Sequence, residues 1–299
     1  MRSQSFFTVV TGQKYINFAI QLARSYELWN NPTSCVPFFI ISDQIIQLPR
    51  DLKNCICIHH KDDLIKKSLE FKLYLNILCP TKEAVFIDAD CLIYDNIQYL
   101  FNLFKDDKLN VIGCKITSGE WADMDICDVV NKNKLNYIIR YNGGFYYLTK
   151  DLKTDAIFLD AKLRFNNETN LQRHHAGFNE EPLLSISMSK FEVIPLIDDG
   201  NIMSDLVHIQ KDTKFNILNG ASQFVNPSLY DHKHKFWIQK GPYYPKILHF
   251  GSAMYYKFPY VFERLRLYLL VHHFNKKLIE FLINRFRIIY FTVKTLKRI

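Results

Sequence analysis

Short apolar runs alternate with longer amphipathic segments along the first part of the chain. Five runs have the length and the β-branched or aromatic content of buried strands: SFFTVV, VPFFIIS, NCICIH, AVFIDAD and NVIGCKI. Three segments among them repeat apolar residues at helical spacing: YINFAIQLARSYELW, DLIKKSLEFKLYLNIL and IQYLFNLF. This alternation predicts an α/β fold with a mostly parallel sheet that is flanked by helices on both faces.

The pattern loosens after residue 117, and no internal repeat or low-complexity stretch is present. Here YNGGFYYLT predicts a turn into a strand, EEPLLSISMSK predicts a helix, and FEVIPL and KILHF predict strands. The opening segment, MRSQSFFTVVTGQ, lacks the basic start, apolar stretch and small-residue cleavage site of a secretion signal. We therefore expect a cytoplasmic protein whose first strand lies near residue 6.

The positive charge of the chain is concentrated near its C-terminus. The formal net charge of the 299-residue chain is +8, and residues 257–299 alone hold ten Lys and Arg residues against Glu263 and Glu280. Residues 1–256 are therefore neutral overall, which argues against a basic body that grips nucleic acid. We expect residues 1–256 to form one domain and residues 257–299 to form a basic amphipathic helical tail.

The tail mixes Leu, Ile, Phe and Tyr with its cations. It contains no uninterrupted apolar stretch near the roughly 20 residues that a membrane-spanning helix needs. Its pattern favours an interfacial helix, so we expect the tail to rest peripherally on an anionic membrane surface. The alternative is a helical appendage that packs on the body and keeps its basic face in solvent.

The seven cysteines all precede residue 130 and lie mostly within apolar runs. An odd number in such places indicates reduced thiols of the core rather than a disulfide framework. In CICIHH, Cys55, Cys57 and His59 share one face of a predicted strand. No second cluster of Cys and His follows at zinc-site spacing, so we do not expect a zinc site there.

Two carboxylates end the fourth apolar run, in the segment VFIDADCLIYDN. If Asp88 and Asp90 continue the strand, their side chains point the same way, and two like charges in apolar surroundings repel each other. A basic side chain, a shared proton or a divalent cation would relieve that repulsion. Because ligands of open α/β sheets bind at the carboxyl ends of the strands, this pair marks a candidate functional site.

The segment FIDADCLIYDNIQYLF resembles the D-x-D metal-binding motif of glycosyltransferases with the GT-A fold, especially those of family 8 and its bacterial relatives. Five more blocks resemble that family in the same order: TVVTGQKYINFAIQLARSY, LEFKLYL, YNGGFYYL, NEEPLLS and KILHFGS. Together the blocks cover residues 6–257 and leave the tail outside. The resemblance implies a Rossmann-like GT-A domain that binds a nucleoside-diphosphate sugar.

The resemblance also implies a divalent cation, Mn²⁺ or Mg²⁺, at the two aspartates. Asp90 would bind it directly, Asp88 would share that task or bind the ribose, and His249 would complete the protein ligands. An imidazole among oxygen ligands is acceptable to Mn²⁺, and the cation would neutralise the charge of a departing diphosphate. The alternative for His249 is a hydrogen-bonded histidine of the core.

Contacts to the donor are implied at six positions, which are Thr8, Thr11, Tyr15, Lys72, Gly251 and Lys257. Thr8, Thr11 and Tyr15 fall where the family contacts base and ribose, and the tyrosine ring offers a face for stacking. Lys72 suits a donor sugar or phosphate. Lys257 matches the family's Lys-Pro-Trp ending only loosely. Tyr15 as an ordinary helix position and Lys72 as an ordinary surface lysine are the alternatives.

Two blocks supply candidate residues around the reacting sugar. In YNGGFYYL, Asn142 would offer its amide to sugar hydroxyls, and Gly143 and Gly144 would let the backbone approach the ligand. In NEEPLLS, Glu180 and Glu181 stand where the family often carries Asp-Gln-Asp, so a carboxylate would lie beneath the sugar. It would stabilise or attack an oxocarbenium-like centre, unless these acids only start a helix.

We therefore expect a metal-dependent glycosyltransferase that moves a hexose-type sugar, with retention, from a nucleoside-diphosphate sugar to a saccharide or lipid-linked acceptor. Synthesis of cell-surface polysaccharide or lipopolysaccharide would fit the tail. One alternative is a nucleotidyltransferase, which also uses paired aspartates and a divalent ion but is expected to carry a basic Gly-rich phosphate loop. Another is a non-catalytic, membrane-associated binding module that keeps only the fold.

Overall fold

The computed structural model describes residues 3–30, 36–61, 63–65, 68–167, 173–174, 177–206, 214–223, 225, 242–251 and 254–296. Its strands are β1 (Gln4–Val10), β2 (Phe38–Ser42), β3 (Cys55–His59), β4 (Glu83–Ile87), β5 (Cys91–Ile93), β6 (Leu109–Asn110), β7 (Gly113–Ile116), β8 (Glu120–Trp121), β9 (Met124–Asp125), β10 (Ile138–Tyr141), β11 (Phe145–Thr149), β12 (Arg173–His174), β13 (Gly177–Phe178), β14 (Met203–Asp205), β15 (Lys214–Asn216), β16 (Ala221–Gln223) and β17 (Ile247–His249). Its α-helices are α1 (Gly12–Trp29), α2 (Leu75–Leu78), α3 (Leu100–Leu103), α4 (Ile126–Asn133), α5 (Leu152–Asn167), α6 (Glu181–Lys190), α7 (Tyr260–Val271) and α8 (Lys276–Leu296).

A six-stranded sheet in the order β3-β2-β1-β4-β11-β6 forms the centre of the fold. The first four strands are parallel, and β11 runs antiparallel to both of its neighbours. Side chains of β1 alternate between the two sides, with Phe6 and Val10 in one apolar core and Phe7 and Val9 in the other. Because both faces are covered, the central strands β1 and β4 are mostly apolar. The predicted mostly parallel α/β architecture is confirmed.

A second, three-stranded sheet in the order β14-β17-β5 lies where the chain leaves β4. The chain turns through residues 88–90 and re-enters as β5, whose Cys91 pairs with His249 of β17. On the other side of β17, His249 pairs with Asp205 of β14. This small sheet therefore brings the segment after Asp90 beside residues from the last third of the chain.

Two strand predictions were wrong in part. FEVIPL forms no strand, because Pro195 has no N–H for a ladder and the segment pairs only through a single bridge from Leu196 to Ile112. The Asn110 side chain forms hydrogen bonds with this segment: it donates to Ile194 O and accepts from Leu196 N. NVIGCKI splits into β6 and β7, which belong to different sheets.

The helical predictions around Lys72 and at IQYLFNLF were too long. The first segment forms two 3₁₀ helices, Asp63–Ile65 and Ser68–Tyr74, before the one-turn helix α2, and the second forms only α3. Phe71, Lys72 and Leu73 are all buried. A segment that is enclosed on several sides does not follow the single apolar stripe that predicts an α-helix.

The tail helices contact the body through their inner faces. Tyr260, Phe262 and Leu267 of α7 and Ile279 and Ile283 of α8 belong to the same core cluster as the central sheet. No helix among the described residues is both long enough and apolar enough to cross a bilayer. The outer face of α8 stays open to solvent, so contact of that face with a membrane stays a prediction.

Candidate active site

The two aspartates lie at the carboxyl end of β4, beside the end of β1 in the same parallel sheet. The strand ends at Ile87, and Asp88, Ala89 and Asp90 form a turn in which Cys91 N donates to Asp88 O at 3.0 Å. The expected strand alternation was therefore wrong, although both carboxylates still face His249. The turn thus brings the two carboxylates together, as a continued strand was expected to do.

His249 is the centre of a buried carboxylate cluster. Its Nε2 lies 3.1 Å from Asp90 Oδ1 and 3.9 Å from Asp88 Oδ2, while its Nδ1 lies 2.5 Å from Asp205 Oδ1. Burial lowers the pKa of His249, but the charges of Asp205 and Asp90 outweigh burial and raise it well above its ordinary value. Without a metal ion, the protonated imidazole thus bridges two carboxylates.

Asp205 was missed by the sequence analysis. It ends β14, and its second oxygen accepts from Asn142 Nδ2 at 2.7 Å. A carboxylate on one ring nitrogen of a histidine fixes the ring so that the other nitrogen faces a metal. Asp205 is placed to orient His249 in this way, with Nε2 toward Asp90.

Lys72 is buried, and its ammonium group makes three polar contacts inside the protein. Its Nζ lies 2.8 Å from Asp88 Oδ2 and 3.2 Å from Glu180 Oε1, and it donates to Gly143 O at 2.9 Å. Burial lowers the pKa of Lys72, but Asp88 and Glu180 outweigh burial and raise it. This lysine joins the two acidic segments of the site, and its contact with a donor phosphate stays a prediction.

Asn142, Gly143 and Gly144 connect the acids to the sheet. Gly143 N donates to Glu181 Oε1 at 2.7 Å, and Gly144 N donates to Asn142 Oδ1 at 2.8 Å. A Cβ on Gly143 would lie 3.2 Å from Glu181 Oε1 and still closer to Glu180, and one on Gly144 would lie 3.2 Å from His249 Nδ1. Both glycines are thus needed to admit neighbouring side chains, a reason that differs from the predicted approach of a ligand.

Glu181 has a strongly raised pKa. Burial and the neighbouring charge of Glu180 raise its pKa to about 8, although the Gly143 N–H and Lys72 oppose that rise. Glu181 is therefore protonated at neutral pH. It also begins α6, where Asn179 Oδ1 accepts from its N–H at 3.0 Å, so the predicted helix and the predicted site residue coincide.

The carboxylates of this cluster outnumber its cations. Burial raises the pKa of Asp88 against the opposing charge of Lys72, whereas for Asp90 the charge of His249 outweighs burial and lowers the pKa. Asp90, Asp88 and His249 offer oxygen and imidazole ligands, a donor set suited to Mn²⁺ or Mg²⁺. A divalent cation there would supply the missing positive charge, so the residues fit the group that the sequence implied.

Cys91 is the third member of the metal-ligating group that the described residues form with Asp90 and His249. Burial raises the pKa of the Cys91 thiol well above its ordinary value, so it stays protonated and is a poor ligand. Cys55, Cys57 and His59 do not belong to such a group among the described residues, and burial also raises the pKa of both thiols. No zinc site was expected there.

A cavity of about 300 Å³ opens beside the aspartates. Its lining comes from the end of β1, the start of α1, the Asp88–Asp90 turn and the C-terminal segment: Val9, Val10, Thr11, Tyr15, Phe71, Asp88, Ala89, Asp90 and Tyr255. Tyr15 and Tyr255 provide two aromatic surfaces, and Lys14 lies 4.9 Å and 4.7 Å from their ring centroids. An aromatic face of this kind can stack against a planar base. Tyr255 was not predicted.

Four of the six predicted donor residues do not line this cavity: Lys72, described above, and Thr8, Gly251 and Lys257. Thr8 is completely buried within β1. Gly251 lies just after β17, where an added Cβ would be in ordinary contact with the His249 ring and Asp205. Lys257 is exposed just after the 3₁₀ helix Met254–Tyr256. The structure thus brings together the metal residues, Thr11 and Tyr15, and leaves donor contacts of Thr8, Gly251 and Lys257 as predictions.

Asp205→Asn is expected to raise the metal concentration needed for half-maximal activity by about tenfold or more, since this is the usual cost of losing a carboxylate that orients a metal-binding histidine. Mn²⁺ titration of donor hydrolysis, together with direct Mn²⁺ binding by electron paramagnetic resonance, measures the change. At saturating Mn²⁺ the KM for the donor should stay close to that of the unmodified protein. If the variant lost thermal stability but kept the same metal dependence, Asp205 would have only a structural role.

Comparison with known proteins extends the resemblance to the whole fold. Galactosyltransferase LgtC, crystallised in complex with donor and acceptor sugar analogs, matches with a TM-score of 0.57 at 12% identity, over 91% of this chain and 96% of that chain. An active-site mutant of LgtC matches with a TM-score of 0.55 at 11% identity, over 91% and 98%. Mouse xyloside xylosyltransferase 1 matches with a TM-score of 0.51 at 10% identity, over 84% and 99%.

No family model and no curated protein matches the sequence itself. At identities of 10–12% the similarity to the solved structures concerns the fold. It extends over nearly the full length of each neighbour. The chain therefore has the GT-A fold found in these glycosyltransferases, as the sequence resemblance implied.

Proposed function

We propose that this protein is a metal-dependent glycosyltransferase that moves a hexose-type sugar from a nucleoside-diphosphate sugar to a saccharide or lipid-linked acceptor. One observation carries the proposal: Asp88, Asp90 and His249 lie close together at the edge of a cavity of about 300 Å³. The carboxylates of this cluster outnumber its cations. The cavity has the aromatic surfaces for a base, and the cluster has the ligands for the cation that a diphosphate requires.

Each residue of the site has a separate role in this proposal. Tyr15 and Tyr255 hold the base, and Asp90 and His249 hold Mn²⁺ or Mg²⁺ together with Asp88. When bound, the cation supplies Lewis-acid stabilisation of the charge that develops on the diphosphate. Asp205 keeps the His249 ring oriented, and Lys72 keeps Asp88 and Glu180 in place despite their burial.

In this proposal Glu181 lies beneath the reacting sugar as a neutral carboxyl. A protonated carboxyl is a weak nucleophile, because it lacks the negative charge of a carboxylate and must lose its proton as it attacks. The raised pKa of Glu181 therefore favours direct transfer on the face from which the diphosphate leaves, with retention of configuration, over a glycosyl-enzyme intermediate. Glu181 then acts by hydrogen bonding to the sugar and by excluding water from it.

A panel of nucleotide sugars, tested with purified protein for release of the nucleoside diphosphate, tests the proposal. Release is expected with one or a few donors in the presence of Mn²⁺ or Mg²⁺ and is expected to stop when EDTA removes the metal. Identification of the products separates the alternatives. A nucleotidyltransferase would instead release pyrophosphate when it is given a nucleoside triphosphate and a sugar phosphate, and a binding module would release no product while it still bound a nucleotide.

We also propose that the outer face of α8 lies on an anionic membrane surface, where a lipid-linked acceptor would be found. Leu278, Phe281, Ile288 and Ile289 are exposed on this helix, and Arg285 stacks over Phe281 at 5.3 Å. Cations gain about 1 kcal/mol each near anionic lipid, and salt screens this attraction.

The chain is accordingly expected to sediment with anionic vesicles at low salt, to bind neutral vesicles less and to be partly released as salt rises. Lys277→Glu combined with Arg285→Glu should weaken the sedimentation, because these changes reverse charges on the exposed side of α8. Unchanged vesicle binding by this double variant would show that the outer face of α8 is not the membrane contact.

A further inference from the structure

A second cavity, of about 240 Å³, lies between the β15–β16 hairpin and the tail helices α7 and α8. It shares none of its lining with the cavity at the aspartates. Nine residues line it: Lys214, Phe215, Asn216, Ala221, Phe258, Phe262, Arg266, Ile283 and Arg287. The lining thus contains three cations, several apolar side chains and no carboxylate.

Two described carboxylates beside this cavity, Glu263 and Glu280, are already bound. Arg266 donates to Glu263 Oε1 and forms a two-point contact with Glu280, at 2.9 Å from Nε and 3.0 Å from Nη2. Glu263 also accepts from Ile217 N at 2.6 Å. These two acids therefore neutralise Arg266 and anchor the tail to the β15–β16 hairpin. They leave the charges of the other two cations uncompensated.

Lys214 and Arg287 are those two cations, and both side chains are exposed at the cavity. Within the described part of the chain, neither forms an ion pair with a carboxylate. The Arg287 guanidinium lies 5.0 Å from the centroid of the Phe258 ring. Stacking on a ring holds a guanidinium in place while its N–H groups stay available. The entrance of the cavity thus carries two cationic groups that can bind an anion.

The inner part of the cavity is apolar. Phe258 is 9% exposed, Phe262 is 3% exposed and Ile283 is 1% exposed. A free phosphate ion would contact the two cations at the entrance and leave the apolar inner part of the cavity unfilled. A phosphate that carries a hydrocarbon chain matches both halves of the lining, since each CH₂ that leaves water contributes roughly 0.8 kcal/mol. A volume slightly below that of drug-binding pockets suits a head group and the first carbons of its chain.

We propose that this cavity binds the phosphate head group of an anionic lipid, with the phosphate at Lys214 and Arg287 and the first carbons of the lipid against Phe258 and Phe262. The cavity lies on the tail helices, so a lipid seated here would position the protein at a membrane in a defined orientation. The inference does not depend on sugar transfer, because no residue of this cavity belongs to the donor site.

Calorimetric titration of the full chain with dihexanoyl phosphatidylglycerol, kept below its critical micelle concentration, tests the proposal. Saturable binding of one lipid per chain is expected. Lys214→Ala combined with Arg287→Ala is expected to weaken this binding at least tenfold. Inorganic phosphate, titrated in the same way, is expected to bind at least tenfold more weakly than the lipid, because it lacks the chain.

Lys277→Ala combined with Arg285→Ala is the matched control, since it also removes two positive charges, but from α8 residues that do not line the cavity. This control should bind the monomeric lipid within about threefold of the unmodified chain, and both double variants should keep metal-dependent donor hydrolysis. Three results would overturn the proposal: no saturable lipid binding, equal losses in the two double variants, or equally tight binding of inorganic phosphate, which would identify a site for free phosphate.

Discussion

Asp90→Asn is expected to lower metal-dependent donor hydrolysis and sugar transfer about a thousandfold while the protein keeps its fold. Asparagine preserves the shape of the side chain but removes the charge that lies 3.1 Å from His249 Nε2. A thousandfold loss corresponds to about 4 kcal/mol of transition-state stabilisation, the scale expected when a metal that stabilises a leaving group is lost. Steady-state kinetics at saturating Mn²⁺ measure the loss, and circular dichroism with thermal unfolding checks the fold.

Asp95→Asn provides the matched control for this experiment. Asp95 lies a few residues further along the chain, is half exposed and pairs with Lys246 at 2.9 Å. Because exposed ion pairs contribute little to stability, turnover of this variant should stay within about twofold of the unmodified protein. Near-normal turnover in a folded Asp90→Asn protein with Mn²⁺ present would rule out the assigned metal role.

The central sheet was predictable because its strands are short apolar runs, and such runs are a local signal. The first four predicted strands are present as β1 to β4. The signal fails where a side chain takes part in the hydrogen bonding. Asn110 accepts from Leu196 N, which also donates to Val111 O, and Asn110 donates to Ile194 O; no apolar pattern predicts such bonds. The interior position of Lys72 likewise depends on Asp88 and Glu180, which lie far from it in sequence.

The metal residues were predictable only through the resemblance of ordered motifs. Asp88, Asp90 and His249 each belong to a recognisable block, and the structure brings them together. Asp205 has no such block around it. Its role depends on the pairing of β14 with β17, a long-range contact that places its carboxylate at His249 Nδ1. Tyr255 reaches the donor cavity in the same way, through the packing of the C-terminal segment on α1.

Glu181 offers the sharpest test of how the sugar is transferred, because its protonation state separates two mechanisms. A covalent nucleophile must be ionised, whereas a neutral carboxyl can be replaced by an amide of the same shape. The groups that face Glu181 are Glu180, Lys72, Asp205 and the Gly143 N–H. Burial and Glu180 raise the pKa of Glu181 to about 8, so the neutral form dominates at pH 7.

Glu181→Gln is expected to keep at least a tenth of the turnover at pH 7 and to change the pH dependence of kcat/KM. In the unmodified protein, kcat/KM should fall as the pH rises through about 8, because ionised Glu181 adds a buried negative charge that repels the anionic donor. The glutamine variant cannot ionise and should lose this fall. Initial rates between pH 6 and about 9.5, with Mn²⁺ saturating at each pH, measure both effects.

Glu180→Gln serves as the companion variant. It is expected to shift the pH dependence of kcat/KM rather than to abolish it. Removal of the Glu180 charge removes one of the causes that raise the pKa of Glu181, so the fall in kcat/KM should remain but move to lower pH. Both variants should be folded by circular dichroism, although Glu180→Gln removes one of the two carboxylates that pair with Lys72. A thousandfold loss in Glu181→Gln, together with a glycosyl adduct on the unmodified protein by mass spectrometry, would contradict the neutral role and establish Glu181 as a nucleophile.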